Sequence, residues 1–110
     1  MKSYTDLEQS KKLAEILPLE SADMYYYTVN GDIYKTPNMI ERIDDLDVDD
    51  KSIPCWSLAA LLNILPSSTL DSSNDHHYRL HCMERFTEWY NNPIDACAEM
   101  IIRLNELNLL

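Results

Sequence analysis

His76, His77, His81 and Cys82 fall within one short stretch and carry the clearest metal-ligand chemistry in this 110-residue sequence. On a helix His77 and His81 would be i and i+4 and could share a zinc ion. On a strand they would stand about 13 Å apart at roughly 3.3 Å per residue, too far for one ion. No further ligand pair at metal spacing accompanies them, so no metal and no cofactor is expected. Cys55 and Ser57 are the candidate nucleophiles. A thiol near a helix amino end is acidified by the helix dipole, but no local signature frames either residue with a base. With nineteen acidic residues present, a Ser/Cys–His–Asp set can be assembled by chance. Paired carboxylates are uninformative for the same reason, and no catalytic residue is assigned.

Carboxylates crowd most densely at Asp44, Asp45, Asp47, Asp49 and Asp50. Asp45-x-Asp47-x-Asp49 matches the opening of a calcium loop. Asp50, however, stands where that loop needs glycine, and Trp56 where it needs a bidentate glutamate. The run reads as a solvated acidic connector spanning Thr36 to Lys51. Together with Tyr25, Tyr27 and Tyr34 it forms the expected partner surface of a non-enzymatic protein-interaction module. One alternative is a DNA mimic or another inhibitor of a basic host protein. Mimicry needs carboxylates in rows at phosphate-like separation, and bunching in one loop argues against it. A second alternative is a small enzyme with an unrecognised Cys or His site.

Composition narrows the classes further. A formal charge of −10 repels nucleic-acid backbone, so direct DNA or RNA binding is not expected. Gly31 is the single glycine, which excludes the glycine-rich phosphate loops. Cys55, Cys82 and Cys97 cannot all pair, no secretory leader is evident, and no apolar run approaches membrane-spanning length. The expected setting is a reducing cytoplasm, with no membrane contact and the thiols buried as small hydrophobes.

Periodicity gives the local structure around these groups. Thr5-x-x-Glu8 reads as a capping box opening a short amphipathic helix that Pro18 stops at Leu17. Met24 to Val29 and Asp32 to Lys35 are strand-like around Asn30-Gly31, a two-residue turn that would pair Thr28 with Ile33. Ile53 to Pro66, nearly uncharged and bracketed by prolines, predicts a helix buried almost all round, with Trp56 as a core anchor. Ser67 to Asn74 reads as a mobile polar loop. Residues 76–90 read as two antiparallel strands joined around Glu84-Arg85. A single helix competes, because Tyr78, Cys82, Phe86 and Trp89 also share a helical side.

The most legible element closes the chain. Asn92 caps it, Pro93 takes the first helical position, and Asp95 sits at capping-box spacing. Ile94, Cys97, Ala98, Ile101 and Leu104 then give one broad apolar face, opposite an ion pair from Glu99 to Arg103. The expected fold is a single α+β domain over residues 1–110, an antiparallel sheet of hairpins with three helices packed on it. The apolar end Leu107-Asn108-Leu109-Leu110 would tuck into the core or meet a partner, which gives a homodimer as the expected assembly.

Three stretches, Lys12 to Pro18 with Ser21 to Met24, Ile53 to Pro66, and Asn92 to Leu110, together resemble a family of small uncharacterised proteins of gut Bacteroides-type bacteria, often carried on mobile elements. The resemblance covers roughly half the chain and rests on core-type motifs. It implies a bacterial, intracellular, accessory protein whose partner contacts lie in the variable middle. The family has no assigned reaction, so no site residue follows from it.

Overall fold

The computed structural model describes residues 2–29, 32–33, 37–39 and 52–110. These form three α-helices and seven strands, an α+β arrangement in which every strand pairing is antiparallel. Helix α1 spans Leu7–Ala14, α2 Leu58–Ile64 and α3 Pro93–Glu106. Strands β1 (Met24–Val29), β2 (Asp32–Ile33), β3 (Asn38–Met39) and β4 (Ser52–Cys55) make one sheet. A second sheet, ordered β5-β6-β7, contains Ser68–Ser72, Tyr78–Cys82 and Arg85–Phe86.

Thr28 pairs with Ile33 and Val29 with Asp32, the register a two-residue turn imposes. Along β3, β1 sets Met24 against Met39, and along β4 it sets Met24 against Cys55 and Tyr26 against Ile53. That pairing claims the first part of the segment expected to be helical. Pro54 lacks an amide donor and disfavours helix before it, so residues 52–55 run as strand. Helix begins only after Ser57, whose hydroxyl accepts from the Ala60 amide. Within α2 only Leu61 is fully buried, while Ala59 and Asn63 face outward, so this helix is not buried all round.

The first helix is capped one residue later than Thr5-x-x-Glu8 implies. The Asp6 carboxylate accepts from the Gln9 amide at 2.7 Å, and the Gln9 side chain accepts from the Asp6 amide at 3.1 Å. Thr5 is thereby released for the interior, where it is fully buried. Ser67 to Asn74 is likewise not a loop: Ser68–Ser72 is β5, paired residue for residue with β6.

Residues 78–86 do form two strands, but the turn between them is Met83-Glu84, since Cys82 pairs with Arg85. Both turn residues have positive φ, 51° and 62°, as a type I′ hairpin requires.

Helix α3 starts as its sequence implies. The Asn92 side chain accepts from the Asp95 amide, Pro93 opens the helix, and Ile94, Cys97, Ala98, Ile101 and Leu104 are buried. It ends in a Schellman motif. Asn108 is left-handed (φ 58°), its amide reaches the Asn105 carbonyl, and the Leu109 amide reaches that of Leu104. Leu107, Leu109 and Leu110 stay exposed beyond it. The core joins α3 to Trp56, Leu61, Leu80 and Leu13, with α3 packed on β6 and α2, and α1 on β4.

Candidate functional site

Strand alternation divides the second sheet into two faces. Leu80 and Cys82 of β6 point into the core, so Arg79 and His81 point away from it. The hairpin register places Phe86 directly opposite His81. Their rings stack at 4.2 Å between centroids with an interplanar angle of 6°. The Arg79 guanidinium carbon lies 4.4 Å from the Phe86 ring centroid and 4.6 Å from that of Trp89. His81, Phe86, Arg79 and Trp89 thus form an unbroken chain of four planar groups. Phe86 is 48% exposed, Trp89 45%, and neighbouring Met83 42%, so the surface is preformed yet open to water.

Several contacts hold this surface in place. Asp71, opposite Arg79 on β5, pairs with it at 3.1 Å and sets the plane of its guanidinium. Arg103 of α3 donates to the Phe86 carbonyl at 3.0 Å and pairs with Glu99, anchoring β7 to the last helix. The buried Thr87 hydroxyl accepts from the Leu80 amide at 2.9 Å, and the Thr87 amide donates to the Leu80 carbonyl at 3.0 Å. Arginine between aromatic rings gains cation–π attraction while one edge stays paired with carboxylate. Trp, Arg and Phe are also the residue types that dominate protein-binding hot spots.

The sequence-derived surface fares unevenly. Tyr25 and Tyr27 share one face of β1 in an edge-to-face contact at 6.4 Å, with Tyr27 44% exposed. Tyr26 faces inward, and its hydroxyl donates to the Thr5 carbonyl at 2.7 Å. Burial, reinforced by the neighbouring Cys55 thiol, pushes the Tyr26 phenol well above its ordinary range. Tyr34 and Asp44, Asp45, Asp47, Asp49 and Asp50 lie outside the described residues, as does the Asn30-Gly31 turn.

Cys55 ends a strand, not a helix start, and its thiol is fully buried. It donates to the Thr5 carbonyl at 3.3 Å and accepts from the Thr5 hydroxyl at 3.5 Å. Burial raises its pKa despite hydrogen bonds from Thr5, Ser10 and Tyr26, the opposite of what a reactive thiol needs. Ser57 is committed as a helix cap, with both its hydroxyl and its amide donating to Asp23. Among the described residues no three His, Cys, Asp or Glu side chains converge to hold a metal, and no helix is long and apolar enough to cross a membrane.

A cleft of about 400 Å³ opens between α1 and α3, with Lys2, Asp6, Gln9 and Asp95 in its wall. These four polar groups are engaged with one another. Lys2 Nζ lies 2.8 Å from Asp95 and 2.9 Å from Asp6, and Gln9 Nε2 donates to Asp95 at 2.7 Å. This is a clamp between the amino-terminal segment and α3, built around Asp95.

Aromatic and cationic residues were visible one by one in residues 77–90, but the Met83-Glu84 turn is what sets Phe86 beside Arg79, and the Tyr78–Tyr90 bridge is what brings Trp89 to it. Protein-family models, curated proteins and solved structures were each searched with this chain, and none matches.

Proposed function

We propose that this chain is a non-enzymatic protein-interaction module whose contact surface is the planar face made by Arg79, His81, Phe86 and Trp89. One observation carries the reading: two large aromatic rings stand nearly half exposed, held by a paired arginine, outside the core. Such rings lose little conformational freedom on binding, because their rotamers are already set by stacking. The surface presents the Arg79 guanidinium beside His81 on a chain of net charge −10, with Arg103 reaching the Phe86 carbonyl from α3. A partner presenting carboxylates and apolar side chains would meet complementary chemistry here.

The test is affinity capture from native cells with two variants. One combines Arg79→Ala, Phe86→Ala and Trp89→Ala. The other converts Asp44, Asp45, Asp47, Asp49 and Asp50 to Asn. A partner kept by the connector variant and lost by the planar-face variant, with both variants folded by circular dichroism, supports the reading. A partner that survives loss of the planar face overturns it.

A further inference from the structure

Strand β5 is the outer edge of the second sheet, and its backbone pattern can be read from the hairpin that follows. The Ser73 amide donates to the His77 carbonyl at 2.9 Å and the His76 amide to the Ser73 carbonyl at 3.2 Å. Counting back in twos, the residues of β5 bonded to β6 are Asp71 and Thr69, opposite Arg79 and His81. The other strand of β6's surroundings agrees, because Tyr78 and Leu80 bond outward to Tyr90 and Thr87. The amides and carbonyls of Ser68, Leu70 and Ser72 therefore point to the open edge, where among the described residues no strand pairs with them.

Natural edges are protected by lysine, proline, a bulge or an inward charge. Ser-Thr-Leu-Asp-Ser has no lysine or proline, runs without a bulge against β6, and directs its one charge to Arg79 on the outer face. The strand is also self-complementary. A two-fold axis through Leu70 pairs Leu70 with its own copy and Ser68 with Ser72 of the other copy. Thr69 then faces the other Asp71, so a hydroxyl donor meets a carboxylate and no like charges oppose.

We infer that two copies of this chain associate antiparallel through β5, edge to edge, into one continuous sheet of six strands. The two planar faces would then lie on the same side of that sheet. Their central strands would be separated by three strand spacings, about 14 Å, so the dimer presents a bivalent surface. The pairing itself does not rest on the function proposed above, since it uses only β5.

Sedimentation equilibrium over a wide concentration range tests this with two exposed substitutions of opposite expected effect. Thr69→Asp places carboxylates against Asp71 twice across the axis and should weaken dimerisation about tenfold. Thr69→Lys creates two cross-axis ion pairs and should tighten it, with the gain lost at high salt. Amide exchange at Leu70 and Ser72 should slow as wild-type concentration rises. A wild-type protein that stays monomeric, or a dimer that neither substitution moves, overturns the inference. If either variant fails to fold, the concentration dependence of Leu70 exchange in the wild type decides alone. The planar-face variants leave β5 untouched, so failure of the partner surface and failure of the dimer are read separately.

Discussion

Thr5 and Trp56 are joined by two hydrogen bonds at the centre of the molecule. The Thr5 amide donates to the Trp56 carbonyl at 2.9 Å, and the Trp56 amide donates to the Thr5 hydroxyl at 3.1 Å. The same hydroxyl meets Ser10 Oγ at 2.7 Å, and the Trp56 indole donates to Ser21. Thr5 thus ties the residue after β4 to α1, and the Trp56 indole extends the tie to Ser21. Thr5→Val preserves its shape but leaves the Trp56 amide buried without an acceptor. The expected loss is about 1–3 kcal/mol, read as a lower urea midpoint with an unchanged slope. A midpoint equal to wild type would show that this tie does not contribute to stability.

The Asp95 clamp predicts a specific acid sensitivity. Burial opposes ionisation of Asp95, but hydrogen bonds from Lys2, Asn92 and Gln9 outweigh it and hold the carboxyl below its ordinary value. Asp6 is lowered too, where Gln9 and Lys2 overcome burial. A depressed carboxyl pKa adds stability above its unfolded value, near pH 4, and that stability disappears as pH falls through the folded pKa. Lys2 works in the other direction. Its pKa is raised by Asp95 and Asp6 against burial, so its contribution fades only as pH rises past the ordinary lysine value of about 10.5. Urea midpoints measured from pH 6 to pH 3 should fall more steeply for wild type than for Asp95→Asn. Parallel curves would remove Asp95 from the account.

Thiol labelling tests whether the cysteines are structural. Cys55, Cys82 and Cys97 are free and buried, and burial alone pushes the Cys97 thiol up to about 12. In the native protein at pH 8 a thiol reagent should modify Cys55 and Cys97 only at the rate of unfolding, and all three cysteines promptly in denaturant. Rapid labelling of native Cys55 would reopen the nucleophile reading.

Much of the scaffold was legible because local chemistry and tertiary packing agree on it. Asn92-Pro93 starts α3 as written, Asn30-Gly31 implies the Thr28–Ile33 register that is observed, and Trp56 is fully buried. Strand β5 was not legible, because Ser-Thr-Leu-Asp-Ser carries almost no strand propensity of its own. Its conformation comes from pairing with β6. The start of α2 was misplaced because apolar content said helix while pairing of residues 52–55 with β1 decided otherwise. The planar face was hidden by a turn read one residue late. A turn at Glu84-Arg85 would set Phe86 against Met83, two residues away from His81 and its stack.

That turn stores strain that substitution can relieve. Met83 and Glu84 both hold positive φ without being glycine, asparagine or aspartate, the residues type I′ turns favour. Replacing them together by Asn-Gly should stabilise the protein by about 1 kcal/mol, seen as a higher melting temperature. Because Met83 is exposed, no core contact is lost. A drop in melting temperature would mean that Met83 or Glu84 makes a contact worth more than the strain it imposes.

The stack should also be measurable without any partner. Arg79 touches Phe86 and Trp89 together, so its contribution is shared between two rings. A double-mutant cycle with Arg79→Ala and Phe86→Ala should give a coupling of about 0.5–1 kcal/mol, the range of an exposed cation–π contact. The Asp71–Arg79 pair is about one third exposed and should add less. Because it orients the guanidinium, Asp71→Asn should nevertheless reduce the Arg79–Phe86 coupling when the cycle is repeated in its background. An iodide-quenching experiment supplies the spectroscopic counterpart. Trp89 is accessible and Trp56 is not, so quenching should reach only one of the two tryptophans, and Arg79→Ala should change its efficiency by removing the cation beside the ring. A coupling near zero, with quenching unchanged by the arginine, would mean that the rings are merely neighbours and that the face is not preformed for binding.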